Sequence, residues 1–164
     1  MFYLDLFRAL TDCQVRYLLV GGLAVNVYGV ERATMDVDLM LALDQENLRR
    51  FLKAAARLGL TPLAPVPLAD LADASKRQDW IDNKHMLAFA LHASDPAAPT
   101  VDVLIAPAVD FEAAYPRRTE KLADTVSISL AAVDDLIALK RGSGRQRDLA
   151  DVAALEQLRA LGRL

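Results

Sequence analysis

One cysteine and two histidines are all that this chain of 164 residues offers of the side chains that most often bind zinc or build disulfides. Cys13 has no internal partner, which fits a reducing compartment. His85 and His92 fall at either end of one predicted strand with no second ligand at metal spacing. Ser75, Ser94, Ser127 and Cys13 lack the sequence context of an activated nucleophile. Long apolar runs are also missing: nothing approaches the ~18 residues of a membrane span. The opening "MFYLDLFRAL" is interrupted by Asp5 and Arg8 and has no small-residue cleavage site, so no signal peptide is read. An excess of positive charge is absent too. The net charge of −3 argues against a protein that coats nucleic acid by bulk electrostatics and leaves room only for a local basic patch. These absences lead us to expect a cytoplasmic protein with no membrane partner.

What is present is a chain 54% hydrophobic and rich in alanine and leucine, long enough for one domain with a substantial core. Tyr3, Leu6, Phe7 and Leu10 recur at helical spacing and predict an amphipathic first helix. "VRYLLVGG" reads as a buried strand running into a Gly-Gly break, "LAVNVYGV" as a short helix ended by Gly29, and "DVDLMLAL" as a second strand. Asp44 is placed to cap a helix with Leu48, Phe51, Leu52 and Ala55 inward and Gly59 at its stop. Residues 60–84, with Pro62, Pro65 and Pro67 and the polar "SKRQDWIDNK", are expected to be a loop with one turn or short helix. Trp80, near Lys76, Arg77 and Lys84, is read as a packing residue ahead of a platform for a base. "HMLAFALHA" and "TVDVLIAP" read as paired strands, "FEAAYPRR" as a helical turn and "VSISL" as a further strand. "AVDDLIALKR" and "RDLADVAALEQLRAL" read as two helices separated by "GSG". The expected fold class is α/β (α+β), a small mixed sheet flanked by helices and finished by a C-terminal helical hairpin.

Two aspartates interrupt this plan. Asp36 and Asp38 sit at the mouth of an apolar strand, where a carboxylate is a poor strand former and costly to bury. Alternation puts Asp36, Asp38 and Met40 on one face and Val37, Leu39 and Leu41 on the other. Asp102, in "VDVLI", has the same setting on another predicted strand. If the two strands are neighbours, three carboxylates converge, raise one another's pKa and strain the fold. A divalent cation removes that penalty, and oxygen-only ligands favour Mg²⁺ or Mn²⁺.

Gly21 and Gly22 lie between a strand and a helix, a geometry that exposes backbone N–H groups suited to phosphate. Arg32 and Thr34 stand just ahead of the acidic strand, placed either to touch phosphate or to lock the strand by hydrogen bonds. Val133, Leu136, Ile137 and Lys140 share one helical stripe. Lys140 therefore leaves the core-facing side at the helix end, where its ammonium either snorkels outward or reaches a bound phosphate. Asp148 is a first-turn acid of the last helix. Arg141, Arg145 and Arg147 read as solvated.

In this order, "GGLAVNVYGVERATMDVDL" resembles the signature of the nucleotidyltransferase fold, the DNA polymerase β-like superfamily, and is most similar to bacterial members related to the AbiEii-type toxins. Their pattern is Gly-Gly or Gly-Ser, about a dozen residues, then Asp-x-Asp, with a third acid on a later strand. "LIALKRGSGRQRDLADVAAL" is similar to their later Lys-then-Asp elements. Position 22 holds Gly rather than Ser, which leaves only backbone donors there. The resemblance implies one nucleotidyltransferase domain over residues 1–164, with a catalytic sheet at about 14–130 and a helical hairpin at about 132–162. It implies Asp36, Asp38 and Asp102 as metal ligands and catalytic groups, with Asp102 placed to accept a proton. Gly21, Gly22, Arg32, Thr34, Lys140 and Asp148 would then bind the nucleotide.

The implied reaction is Mg²⁺- or Mn²⁺-dependent transfer of a nucleoside monophosphate from an NTP such as ATP to a hydroxyl. The acceptor would be a tRNA or other RNA 3′ end, or a protein, with a toxin and its antitoxin partner as the setting. An aminoglycoside-type small molecule is a further acceptor. An inactive module that keeps the fold and binds a nucleotide or a partner protein is the alternative. A DNA-binding role for the terminal hairpin is opposed by Asp148, Asp151 and Glu156, which phosphate would repel.

Overall fold

The computed structural model describes residues 1–164. Helix α1 (Phe2–Asp12) leads into β1 (Tyr17–Val20), α2 (Gly21–Val27) and β2 (Val37–Leu41). Helix α3 (Gln45–Arg57) follows, with Asp44 as its cap accepting from the Asn47 amide, and then β3 (Thr61–Pro62). A 3-10 turn (Leu68–Ala72) precedes α4 (Ala74–Lys84), and β4 (Ala88–His92) and β5 (Val101–Leu104) complete the middle of the chain. The last third holds α5 (Phe111–Ala114), the hairpin β6 (Thr119–Ala123) and β7 (Val126–Leu130), and the pair α6 (Val133–Ser143) and α7 (Gln146–Ala160).

The strands form one seven-stranded mixed sheet in the order β3-β4-β5-β2-β1-β7-β6. Pairs β1–β2, β4–β5, β3–β4 and β6–β7 are antiparallel, whereas β2–β5 and β1–β7 are parallel. Strand β1 lies near the centre and is buried at all four positions, as its unbroken apolar run requires. Helix α1 packs on β7 and α3, and α2 packs on β1 and β2. A single core of 38 buried side chains joins these layers, with Phe7, Phe51 and Phe89 the largest fully enclosed members.

Asn47, only 2% exposed, joins three elements. Its Oδ1 accepts from the Arg16 amide at 2.8 Å, and its Nδ2 donates to the carbonyls of Arg16 and Ala42 at 3.0 and 2.8 Å. One side chain thus satisfies backbone groups at the entry to β1 and the exit of β2.

Three expectations are corrected. The stretch expected as a loop with one turn or short helix holds a full 11-residue helix, α4, because Asp73 caps it through the amides of Ser75 and Lys76 and because Trp80 anchors it. Trp80 is 4% exposed and stacks on Phe89 with ring centres 5.1 Å apart, which bears out its packing role. His85 does not border a strand: it ends α4 in the left-handed conformation, φ 51°. Strand β6 escaped the sequence pattern because "TEKLA" lies at the sheet edge and buries none of its side chains. In addition, α6 continues through Gly142, which shortens the expected hinge to Gly144 and Arg145.

Candidate active site

The parallel pairing of β2 with β5 sets Asp38 directly beside Asp102, with Val37 beside Val101 and Leu39 beside Val103. Residues in register on neighbouring strands point to the same face, so the two carboxylates share one side while their neighbours enter the core. Asp36 precedes β2 and is exposed, and its Oδ1 accepts from the Thr100 hydroxyl at 2.9 Å, just ahead of β5. Met40, on the acids' own face, is 1% exposed, so the open part of that face is confined to the strand end.

Electrostatics confirm the crowding. Burial, then the charges of Asp102 and Asp36, push the Asp38 carboxyl up to about 6. Burial and Asp36 raise Asp102 as well. Lys140 and Arg145 act on Asp38 in the opposite sense and do not cancel the effect.

The glycine turn abuts these acids. Gly21 has φ +69°, a conformation that side chains disfavour, and an added Cβ there would collide with the Asp38 carboxylate. A Cβ on Gly22 would stand 2.8 Å from Arg32 Nη1 and 2.9 Å from Thr34 Oγ1. Gly21 therefore lets β1 turn into α2 beside Asp38, and Gly22 leaves room for Arg32 and Thr34.

Lys140 and Asp148 belong to a buried ionic cluster between α6 and α7. Lys140 is 5% exposed, and its Nζ lies 3.2 Å from Asp148 Oδ1 and 2.8 Å from Asp151 Oδ2. It does not snorkel outward. Burial pushes the Asp148 carboxyl up, but hydrogen bonds from Ser143, Arg145 and Lys140 outweigh this and bring it to about 2. Arg32 reaches the same cluster, with Nη1 2.5 Å from Asp151 Oδ2. Asp151 enters from the sequence only as an acid that opposes DNA, and Thr100 carries no signal of its own. The one available signal for Asp151 was its position three residues after Asp148, on the same helical face.

A family model for nucleotidyltransferases of unknown function, DUF6036, matches residues 5–161. The chain belongs to this family. No curated protein matches this nucleotidyltransferase in sequence. Among solved structures it is similar to a lincosamide antibiotic adenylyltransferase, LnuA, bound to lincomycin: 15% identity, TM-score 0.57, over 94% of this chain and 92% of that one. It is also similar to ANT(2″)-Ia in complex with adenylyl-2″-tobramycin, at 13% identity and TM-score 0.55 over 97% and 93% of the two chains. An antigenic nucleotidyltransferase-like protein from Paracoccidioides brasiliensis aligns at 16% identity and TM-score 0.56, over 96% of this chain and 75% of that one. At these identities the likeness concerns the fold, and it agrees with the mixed sheet described above.

No group of three or more His, Cys, Asp or Glu side chains in this nucleotidyltransferase stands at ready-made metal-holding spacing. The donor chemistry nonetheless fits a hard divalent cation. Asp36, Asp38 and Asp102 offer only oxygen, and Lys140 and Arg145 offset only part of the rise that burial and neighbouring acids impose on Asp38. No helix is long and apolar enough to cross a membrane.

Proposed function

We propose that this protein uses Asp36, Asp38 and Asp102 to transfer a nucleoside monophosphate, from ATP or another NTP, to a hydroxyl of a small-molecule acceptor. The observation that carries the reading is the register of Asp38 beside Asp102, against the glycine turn at Gly21. Burial first, and neighbouring acids second, raise the pKa values of Asp38 and Asp102, an arrangement with a stability cost that a cation-binding role explains. Bound there, Mg²⁺ or Mn²⁺ would supply neutralisation of the triphosphate and a lowered pKa for the acceptor hydroxyl.

The chain's own groups divide the remaining work. The backbone N–H groups at Gly21 and Gly22 would donate to the phosphates, and the absence of side chains there lets Asp38, Arg32 and Thr34 crowd against the same turn. Arg32 and Lys140 supply positive charge behind them, and Asp148 holds Lys140 in place. As the acceptor oxygen bonds to the α-phosphorus, its proton passes to Asp102, which stands beside Asp38 at the strand end. The bond from the α-phosphorus to the bridging oxygen breaks, and pyrophosphate leaves with the electron pair. Such a reaction depends on positioning and fixed charge more than on a covalent nucleophile, which accords with the lack of one in the sequence.

The small-molecule acceptor is favoured by two considerations. Lincomycin and tobramycin appear with the similar structures. In addition, the arginines at the junction of α6 and α7, which could otherwise meet RNA, have partners within the protein: Arg141 pairs with Glu156, Arg145 with Asp148, and Arg147 donates to the Ala33 carbonyl. RNA or protein acceptors, and with them a toxin paired to an antitoxin, form the second reading.

Both readings are tested by label transfer from α-labelled NTPs, with Mg²⁺, to a panel of aminoglycosides, lincosamides, total RNA and protein. Wild type is expected to label a small hydroxyl compound, and Asp36→Ala to lose at least 100-fold of that rate. Label on RNA or protein alone would select the second reading. Equal transfer, or none, by wild type and Asp36→Ala across the panel would sink the enzymatic account of this site.

A further inference from the structure

Two cations, one from the loop before β2 and one from α6, end on a single oxygen. Arg32 Nη1 lies 2.5 Å and Lys140 Nζ 2.8 Å from Asp151 Oδ2, and the side chains of Asp151 and Lys140 are 7% and 6% exposed. Like charges so close repel strongly in a buried setting, and the shared carboxylate makes the arrangement tenable. Asp148 has further partners in Ser143 and Arg145, whereas Asp151 is the only carboxylate paired with Arg32. Arg32 in turn occupies the space beside Gly22.

Two contacts fasten the same loop. Arg147 of α7 donates to the Ala33 carbonyl, and Asn26 Nδ2 of α2 donates to the Arg32 carbonyl at 3.1 Å. Asn26 Oδ1 is buried there without a hydrogen-bond partner, an unspent acceptor beside the Arg32 backbone.

We infer that Asp151 is a positioning residue: from helix α7 it holds Arg32 and Lys140 together beside the glycine turn, so that the pair is presented to the phosphates of the nucleotide. The inference rests on the nucleotide site proposed above. Asp151 itself touches neither phosphate nor metal and acts through the two cations. The C-terminal helix therefore governs nucleotide affinity at a turn more than a hundred residues earlier in the chain.

The test compares wild type, Asp151→Asn, Arg32→Ala and the double variant, each first checked for an unfolding temperature near that of wild type. Calorimetry with a non-hydrolysable ATP analogue and Mg²⁺ is expected to show affinity at least 10-fold weaker in each single variant. The double variant should be no more than about threefold worse than the weaker single one. Mn²⁺ binding without nucleotide should stay within twofold of wild type in Asp151→Asn, which general loosening would not allow. Asp151→Glu should recover part of the lost affinity. Asp151→Asn within twofold of wild type for the analogue, or single effects that multiply in the double variant, would overturn the inference.

A second measurement needs no nucleotide. Acetylation of Lys140 by acetic anhydride, followed by mass spectrometry, should run at least 10-fold faster in Asp151→Asn than in wild type. Equal rates would overturn the positioning role directly. A wild type that binds no analogue but shows the expected acetylation difference would instead defeat the nucleotide site and leave the hold of Asp151 on Lys140 standing.

Discussion

At Asp38 three pressures meet on one carboxyl group: burial, Asp102 at its side in register and Asp36 two residues before it. With its pKa lifted to about 6, the folded state holds this proton more tightly than the unfolded chain does. Between the ordinary aspartate value and about 6 the folded state therefore binds more protons, and stability falls as pH rises through that window. Above it the full penalty remains, about 3 kcal/mol at one pKa unit per 1.36 kcal/mol. Asp38→Asn should accordingly raise the unfolding temperature of the metal-free protein at pH 7.5 by several degrees while abolishing nucleotidyl transfer. Thermal melts and the labelling assay check both halves; a lower melting temperature would contradict this account of the carboxylate. The same competition predicts that Mn²⁺ affinity weakens as pH is lowered from 7.5 to 5, where a proton takes the place of the metal.

Elements differ in how far their sequences announce them. Strand β2 was legible because its apolar run is broken only by Asp38, with Val37 and Leu39 turned to the core on the other face. The Gly21 turn was legible because a strand running into Gly-Gly has few other readings. Helix α4 was not, since its anchors are one tryptophan and one cap in an otherwise polar stretch, and the edge strand β6 carries no buried side chain to betray it. Asn47 belongs to the same class. It looks like a surface residue in the first turn of α3, yet its three hydrogen bonds are what join α3 to the ends of β1 and β2. Asn47→Ala should cost about 2–4 kcal/mol, since buried backbone groups lose their partners. Chemical denaturation would measure that loss, and a cost under about 1 kcal/mol would show that water replaces the side chain.

Across the whole molecule the site is assembled from segments far apart in the chain. Asp36 and Asp38 come from the first quarter, Asp102 from the middle, and Lys140 and Asp151 from the terminal helices, all converging around the turn between β1 and α2. Local pattern exposed the acids one by one. Their meeting depended on the pairing of β2 with β5, and the role of Asp151 depended on a contact 119 residues long, which no local window contains. The sheet thus brings carboxylates to one side of the turn, and the contact of Arg32 with Asp151 ties the helical pair to the other. The most direct measurement is a crystal structure with Mn²⁺ and a non-hydrolysable NTP, using anomalous scattering to locate the metal. The account predicts manganese at Asp36, Asp38 and Asp102, with the triphosphate beside Gly21. Manganese bound elsewhere, or a nucleotide seated away from those three carboxylates, would contradict it.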